Sequence, residues 1–165
     1  METNDVELRE SIQAIATAWK LQRAERQARR HLEPDDFAAL RNAGFLRAVV
    51  PENAGGLWRD TATSARAICE LLRCLASADP AVALVSAMHP SVVAFWLLNP
   101  DDTQPDWEAQ RQAVFLSAVD GEQWGTITSE PGSGGDIART RATASPLPSG
   151  DVAFIAGRSY AVTGD

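Results

Sequence analysis

The hydrophobic period of this chain changes once, and that change limits the folds open to it. Up to about residue 117, apolar residues recur every three or four positions, the spacing of helices with one buried face. From Gln123 onward no helical period is found, and short stretches rich in Thr, Ile and Val alternate instead. Helices first and strands second is the order of an α+β protein with segregated regions. The boundaries expected are a helical domain over 1–117 and an incomplete β domain over 118–165.

The helical part divides at its Pro, Gly and Asp residues. Asn4–Arg30 reads as one long amphipathic helix, with Leu8, Ile12, Ile15, Ala16, Trp19 and Ala24 on its apolar face and no Gly or Pro inside. Asn4 is placed to cap it, with Glu7 three residues on. Pro34 opens a second helix, with Asp35 and Asp36 suiting its N-terminal dipole, and Gly44 stops it. Phe45–Val50 is short and apolar. Pro51–Gly56 is a turn that favours positive φ. Thr61–Ser77 predicts a third helix. Asp79-Pro80 caps and starts a fourth, Ala81–Leu98, which Pro90 should kink. Trp107–Leu116 predicts a fifth.

In the β part, Trp124–Ser129, Ile137–Ala144, Val152–Ile155 and Ser159–Thr163 predict strands, with turns at Pro131–Gly135 and Ser145–Gly150. So few short strands cannot cover a sheet by themselves, so the chain is expected to be a piece of a longer protein.

Charge and cysteines narrow the function classes. Net charge is −7, and residues 51–165 supply all of it. Phosphate backbones need a basic face, so nucleic acid is not an expected partner. The Arg23, Arg26, Arg29 and Arg30 stripe reads as a solvated helix face, with a partner or ligand surface as the alternative. Cys69 and Cys74 on one helix would be separated by a rise of ~7.5 Å, beyond the ~7 Å Cα limit of a disulfide. Two buried, reduced thiols and a cytoplasmic location are expected. Ala81–Leu98 reaches membrane length, but His89, Pro90, Ser86 and Ser91 at its centre favour a buried core helix over a membrane span.

The chemistry-bearing stretch is Trp124-Gly-Thr-Ile-Thr-Ser-Glu-Pro-Gly-Ser-Gly-Gly-Asp136. Its glycines expose backbone N–H groups that can hold a phosphate or a flavin carbonyl, with the hydroxyls of Thr126, Thr128 and Ser129 nearby. A plain hairpin with a Pro-Gly turn explains the same pattern. The spacing is not G-x-G-x-x-G, and a strand rather than a helix follows, so a dinucleotide fold is excluded. His31 and His89 stand apart from other ligand types, so no metal site is assigned. His89, on an apolar helix beside Pro90, reads as structural or pocket-lining. The Asp35/Asp36 and Asp101/Asp102 pairs read as caps.

Three segments carry a resemblance. Ser129-Glu-Pro-Gly-Ser-Gly-Gly-Asp136 is similar to the T-E-P-G-x-G-S-D signature of the acyl-CoA dehydrogenase family. Leu40-Arg-Asn-Ala-Gly-Phe-Leu-Arg-Ala-Val-Val-Pro-Glu-Asn-Ala-Gly-Gly56 resembles that family's L-x-x-A-G segment followed by P-E-x-x-G-G. Tyr160-Ala-Val-Thr-Gly-Asp165 resembles the strand before its G-x-K turn. The resemblance implies a helical N-terminal domain, a middle β-barrel and a C-terminal bundle, of which this chain would hold the first and the opening strands of the second.

It also implies FAD as cofactor. Thr126, Thr128 and Ser129, with Trp124 at the head of the segment, would meet the isoalloxazine edge and tune its electronics. Thr163 joins them only if it is the threonine of the later W-x-T strand; in the register that fits the lead-in better, that strand follows Asp165. The substrate would be an acyl-CoA or another small molecule. Gly135 stands where the family has a serine near the acyl-CoA and cofactor phosphates. His89, Met88 and Trp96 are candidates for the acyl pocket. The family's base is a carboxylate of the C-terminal bundle with no counterpart here, so no catalytic residue is assigned and the chain alone is expected to be inactive. Expected partners are further copies of the chain and an electron-transfer flavoprotein or flavin reductase, with no membrane. Two other functions remain open: a flavin-dependent monooxygenase of the same fold, and a non-catalytic helical interaction module.

Overall fold

A computed structural model describes residues 3–98, 106–126, 136–139, 143–148 and 152–155. The chain divides into two units, Met1–Gly125 and Thr126–Asp165.

The first unit is helical among its described residues. Its α-helices are α1 (Thr3–Leu21), α2 (Arg23–Ala28), α3 (Pro34–Asn42), α4 (Thr61–Ala76), α5 (Pro80–Ser86), α6 (Met88–Ala94) and α7 (Trp107–Val119). Most of the predicted stripe is buried, but Ile15 is only half-buried and Ala24, beyond the end of α1, is exposed. Leu8, Ile12, Ala16 and Trp19 are in the core and meet Ile68, Leu71 and Leu75 of α4. Each of the buried Leu and Ile side chains contributes roughly 1.5–3 kcal/mol by leaving water. Asn4 lies inside α1 rather than at its cap, and the expected single helix Asn4–Arg30 breaks at Gln22. No Gly or Pro marks that break. It falls between Trp19 and Arg26, whose contacts with each other and with distant carboxylates set the direction of α2.

Phe45–Val49 forms a buried 3-10 turn at the centre of the unit, packed by α3, α4, α6 and α7. A glycine before it and two glycines after the following Glu52–Ala54 turn shape this stretch. Gly44 stops α3 with φ +86°. Gly55 has φ +89°, and Gly56 has its Cα so close to the chain that a Cβ would lie 2.0 Å from the Val50 carbonyl oxygen. Only glycine fits there. The turn is closed by Trp58 N–H donating to Val50 O at 2.8 Å and Glu52 N–H donating to Trp58 O at 3.1 Å.

α4 starts at Asp60, whose carboxylate accepts from the Thr63 N–H at 2.8 Å. That bond holds the Asp60 carboxyl below its ordinary value. Cys69 is exposed and Cys74 half-buried, both as free thiols. The expectation of two buried thiols is corrected: only one side of α4 faces α1, and Cys69 lies off it.

Pro80–Leu97 is long and apolar enough to cross a membrane by composition. Here it is broken at Ala87, just ahead of Pro90. A proline has no N–H for the carbonyl four residues back, and its ring crowds that carbonyl, here Ser86. Val82, Ala83, Val85, Ser86, His89, Pro90 and Val93 are buried in the unit, while Leu84, Phe95 and Leu98 are exposed.

In the second unit, β1 (Thr143–Pro146) pairs antiparallel with β2 (Val152–Ile155), in register from Thr143↔Ile155 to Pro146↔Val152. β2 agrees with the predicted strand. The strand expected at Ile137–Ala144 is displaced, since Ile137–Arg139 is a 3-10 turn. Asp136 bends the chain there: its carboxylate accepts from Ala138 N–H at 3.0 Å and its carbonyl from Arg139 N–H at 3.0 Å. Residues 124–126 have no strand pairing among the described residues. The rest of that expected strand, the turn at Pro131–Gly135 and the strand Ser159–Thr163 lie outside the described residues.

Candidate functional site

The candidate site begins where α7 ends. The helix runs to Val119, three residues past the predicted Leu116, and stops in a glycine cap. Gly121 has φ +97°. Its N–H donates to Ala118 O at 3.2 Å, and Glu122 N–H donates to Ser117 O at 2.9 Å. This crossed pair of bonds is the Schellman arrangement, and it needs a residue at ease in the left-handed region. It turns the chain back along the helix, so that Trp124 lies over α7 and belongs to the helical unit.

Two bonds hold Trp124. Its indole Nε1–H donates to Ser117 Oγ at 2.7 Å. Its backbone N–H donates to Nδ1 of His89 at 3.0 Å. The other ring nitrogen of His89, Nε2, lies 2.8 Å from the Leu46 carbonyl oxygen. A carbonyl only accepts, so Nε2 carries the proton and Nδ1 is bare. His89 is fully buried and neutral. Burial pushes its imidazole below the ordinary histidine value, and the bond to Leu46 partly opposes that shift.

Of the residues the sequence singled out, the structure brings together Trp124 and His89. Thr126 is exposed and opens the second unit. Thr128, Ser129, Gly135 and Thr163 lie outside the described residues. Met88 is half-buried, and Trp96 stacks on Trp107 with ring centroids 4.5 Å apart. Trp124 has spent both its N–H groups inside the helical unit. Its ring is half-buried against the core of that unit.

Sequence reasoning missed the most highly charged buried cluster. Arg26 is only 6% exposed. Its guanidinium donates to both Asp36 oxygens, at 3.0 and 2.8 Å, and to Asp79 Oδ2 at 2.8 Å. It also lies 4.2 Å above the Trp19 ring. Arg29 adds a contact to Asp36 at 3.2 Å. The reading of the arginine stripe as solvated is therefore corrected for Arg26. Asp36 makes no cap and is instead an ion-pair partner. Asp79 does both, its other oxygen accepting from Ala81 and Val82 N–H at 3.1 Å each. One signal was available: Arg26 is seven residues after Trp19, in phase with the buried stripe. The cluster is closed and its charges are matched, so it acts as a structural clip joining α2, α3 and α5.

A small cleft of about 140 Å³ lies between α1 and α4, with Leu8, Ile68 and Leu71 in its wall and the Arg59–Asp5 pair beside it. Among the described residues, no three His, Cys, Asp or Glu side chains gather as a metal-binding group.

Against known families, the acyl-CoA dehydrogenase N-terminal domain matches residues 3–101, more than half of the chain. The match covers α1 to α6, including the Gly55–Gly56 turn and His89, and ends before Trp124 and the glycine-rich signature. No curated protein and no solved structure gives a significant match.

Proposed function

Because the chain belongs to the acyl-CoA dehydrogenase family, we propose that it forms part of a flavin site in an enzyme that removes two hydrogens from Cα and Cβ of an acyl-CoA thioester. The supporting observation is one of order: the matched helical domain is followed in the same chain by Ser129-Glu-Pro-Gly-Ser-Gly-Gly-Asp136. Members of the family are oxidoreductases that generally use FAD, act on acyl-CoA and form oligomers. Two-electron acceptance is what the flavin supplies when bound.

In this reading the residues of the chain bind and orient. The Trp124 ring and the hydroxyls of Thr126, Thr128 and Ser129 line the ring edge, and hydrogen bonds there favour negative charge on the reduced cofactor. Thr163 joins them if its strand is the W-x-T strand. Gly135 stands on the substrate side, without the hydroxyl that the family places there, whereas His89, fully buried with both ring nitrogens bonded, has no polar atom left for substrate. No residue of the chain is assigned as the base that takes the Cα proton. Proton abstraction needs a base within hydrogen-bond reach. The 165-residue chain by itself is expected to give no acyl-CoA turnover. Its expected partners are further copies and an electron-transfer flavoprotein, and its expected location is the cytoplasm.

Gly135 favours a second reading, a flavin-dependent monooxygenase of the same fold that takes reduced flavin from a reductase. Two assays of the protein carrying this chain separate the two: anaerobic mixing with FAD and acyl-CoA, and aerobic mixing with reduced flavin. Bleaching of the flavin absorbance supports the dehydrogenase. Oxygen consumption only when reduced flavin is supplied replaces it with the monooxygenase. No flavin retained under either condition leaves a helical interaction module.

A further inference from the structure

We propose that His89 is a positioning residue that locks the chain's exit from the helical unit, and that acid opens the lock. The inference goes beyond the flavin reading and requires no ligand.

The geometry accepts only one form of the ring. Nε2–H donates to Leu46 O at 2.8 Å, and bare Nδ1 accepts from Trp124 N–H at 3.0 Å. The other neutral tautomer would set a lone pair against the Leu46 carbonyl and a proton against the Trp124 N–H. The imidazolium would keep the Leu46 bond and oppose Nδ1–H to the Trp124 N–H. Protonation therefore breaks one bond of the two and leaves the other in place. The bond it breaks is the one that holds the last turn before Thr126.

The surroundings leave this ring to its own chemistry. α5, the rest of α6 and Phe95–Leu97 carry no charged residue. From Phe45–Val49 comes Arg47, which is exposed and donates to Gly55 O at 2.6 Å. From the turn after α7 come Asp120 and Glu122, both exposed. On α7, Glu108 and Arg111 pair with each other. Burial is the leading cause of the lowered imidazole value, and no charged side chain contributes to it.

The direction of the pH response follows. The folded ring binds a proton less readily than the unfolded one, whose value is about 6.5. Below that pH the unfolded state takes up more protons, so stability falls as pH falls. As pH passes the lowered value of the folded ring, the native protein opens locally at Trp124. Ser117 still holds the indole, so the opening is a release of the backbone and not a loss of the residue.

The test is amide hydrogen exchange across mildly acidic pH, with nitrogen NMR of the imidazole to report its tautomer and titration. The ring is expected in the Nε2–H form. The protection factor of Trp124 N–H, its rate corrected for intrinsic exchange at each pH, should fall about tenfold or more once the ring titrates, as expected for loss of one buried hydrogen bond, while α1 and α4 amides keep theirs. His89→Asn keeps an acceptor near Nδ1 and should protect Trp124 N–H with no dependence on mild acid. His89→Gln keeps the donor to Leu46 and should expose Trp124 N–H at every pH. An Nδ1–H tautomer, an unchanged Trp124 protection factor across the ring's titration, or simultaneous loss of α4 and Trp124 protection would overturn the proposal. The wild-type measurements decide this even if a variant fails to fold.

Discussion

Two buried polar side chains tie distant parts of the helical unit together, and they do so by opposite means. Arg26 brings a full charge into the interior and matches it with Asp36 and Asp79, against the face of Trp19. His89 brings no charge and uses one donor and one acceptor on two backbone groups. The Arg26 clip joins helices whose own hydrophobic stripes already pack. The His89 lock holds a glycine-capped turn whose apolar contribution to the core is the half-buried Trp124. A charged clip is costly to break, because the surviving partner is left buried without its counter-charge. A neutral lock costs less to break but depends on which nitrogen carries the proton. Strength lies in one region and responsiveness in the other.

That contrast can be broken most directly at Asp36. Asp36→Ala should lower stability by about 3–5 kcal/mol, because Arg26 loses its two-oxygen partner while buried. Urea unfolding followed by circular dichroism measures it. Replacing the set together, as Arg26→Met with Asp36→Leu and Asp79→Asn, should recover most of the loss. A cost for Asp36→Ala no larger than that of a surface pair would show that the clip is solvated after all.

His89→Leu should cost less, about 1–3 kcal/mol, the penalty for leaving the Trp124 N–H and the Leu46 carbonyl unsatisfied. It should also flatten the decline in stability just below neutral pH, because the group with the lowered folded value is gone. Asp36→Ala should retain that decline. Thermal melts of both variants through mildly acidic pH sharpen the comparison: if the decline persists in His89→Leu, the acid response belongs to another group.

Smaller again is Gly121→Ala. Its φ of +97° imposes left-handed strain, worth about 1–2 kcal/mol. The Trp124 amide should lose protection along with the cap. At the bottom stands Glu70, paired with Arg73 on the surface of α4. Exposed pairs of this kind contribute little, and Glu70→Ala should leave the unfolding midpoint unchanged, which makes it the control for the other three.

Much of the helical unit is legible from local rules. Gly44 ends α3 and Gly55 takes positive φ, as their places after an apolar run predict. Asp79-Pro80 caps α5 as read. The stripe from Leu8 to Trp19 is the buried face of α1. Other features escaped, some because their causes lie far away in sequence and some because a local turn competes with the expected pattern. α1 and α2 separate at Gln22 with no breaker residue. Asp136 folds back on Ala138 and Arg139, and the alternation expected of a strand yields to a turn. Arg26 resembles its solvent-facing neighbours in composition and differs only in phase. For the candidate site, the sequence supplied Trp124 and His89 separately and had no means of pairing them, nor of finding Ser117 or the Leu46 carbonyl.

Periodicity, caps and glycine positions are properties of a few consecutive residues, and here the amino-acid order alone determined them: the helical character of the first unit, the starts of α3 and α5, the stop at Gly44 and the glycine turn against Val50. The partners of buried polar groups were decided only in the folded state. Arg26 meets Asp79 across 53 residues and His89 meets Leu46 across 43. A polar atom that leaves water must find its complement among whatever the packing brings near, and no local pattern encodes that choice.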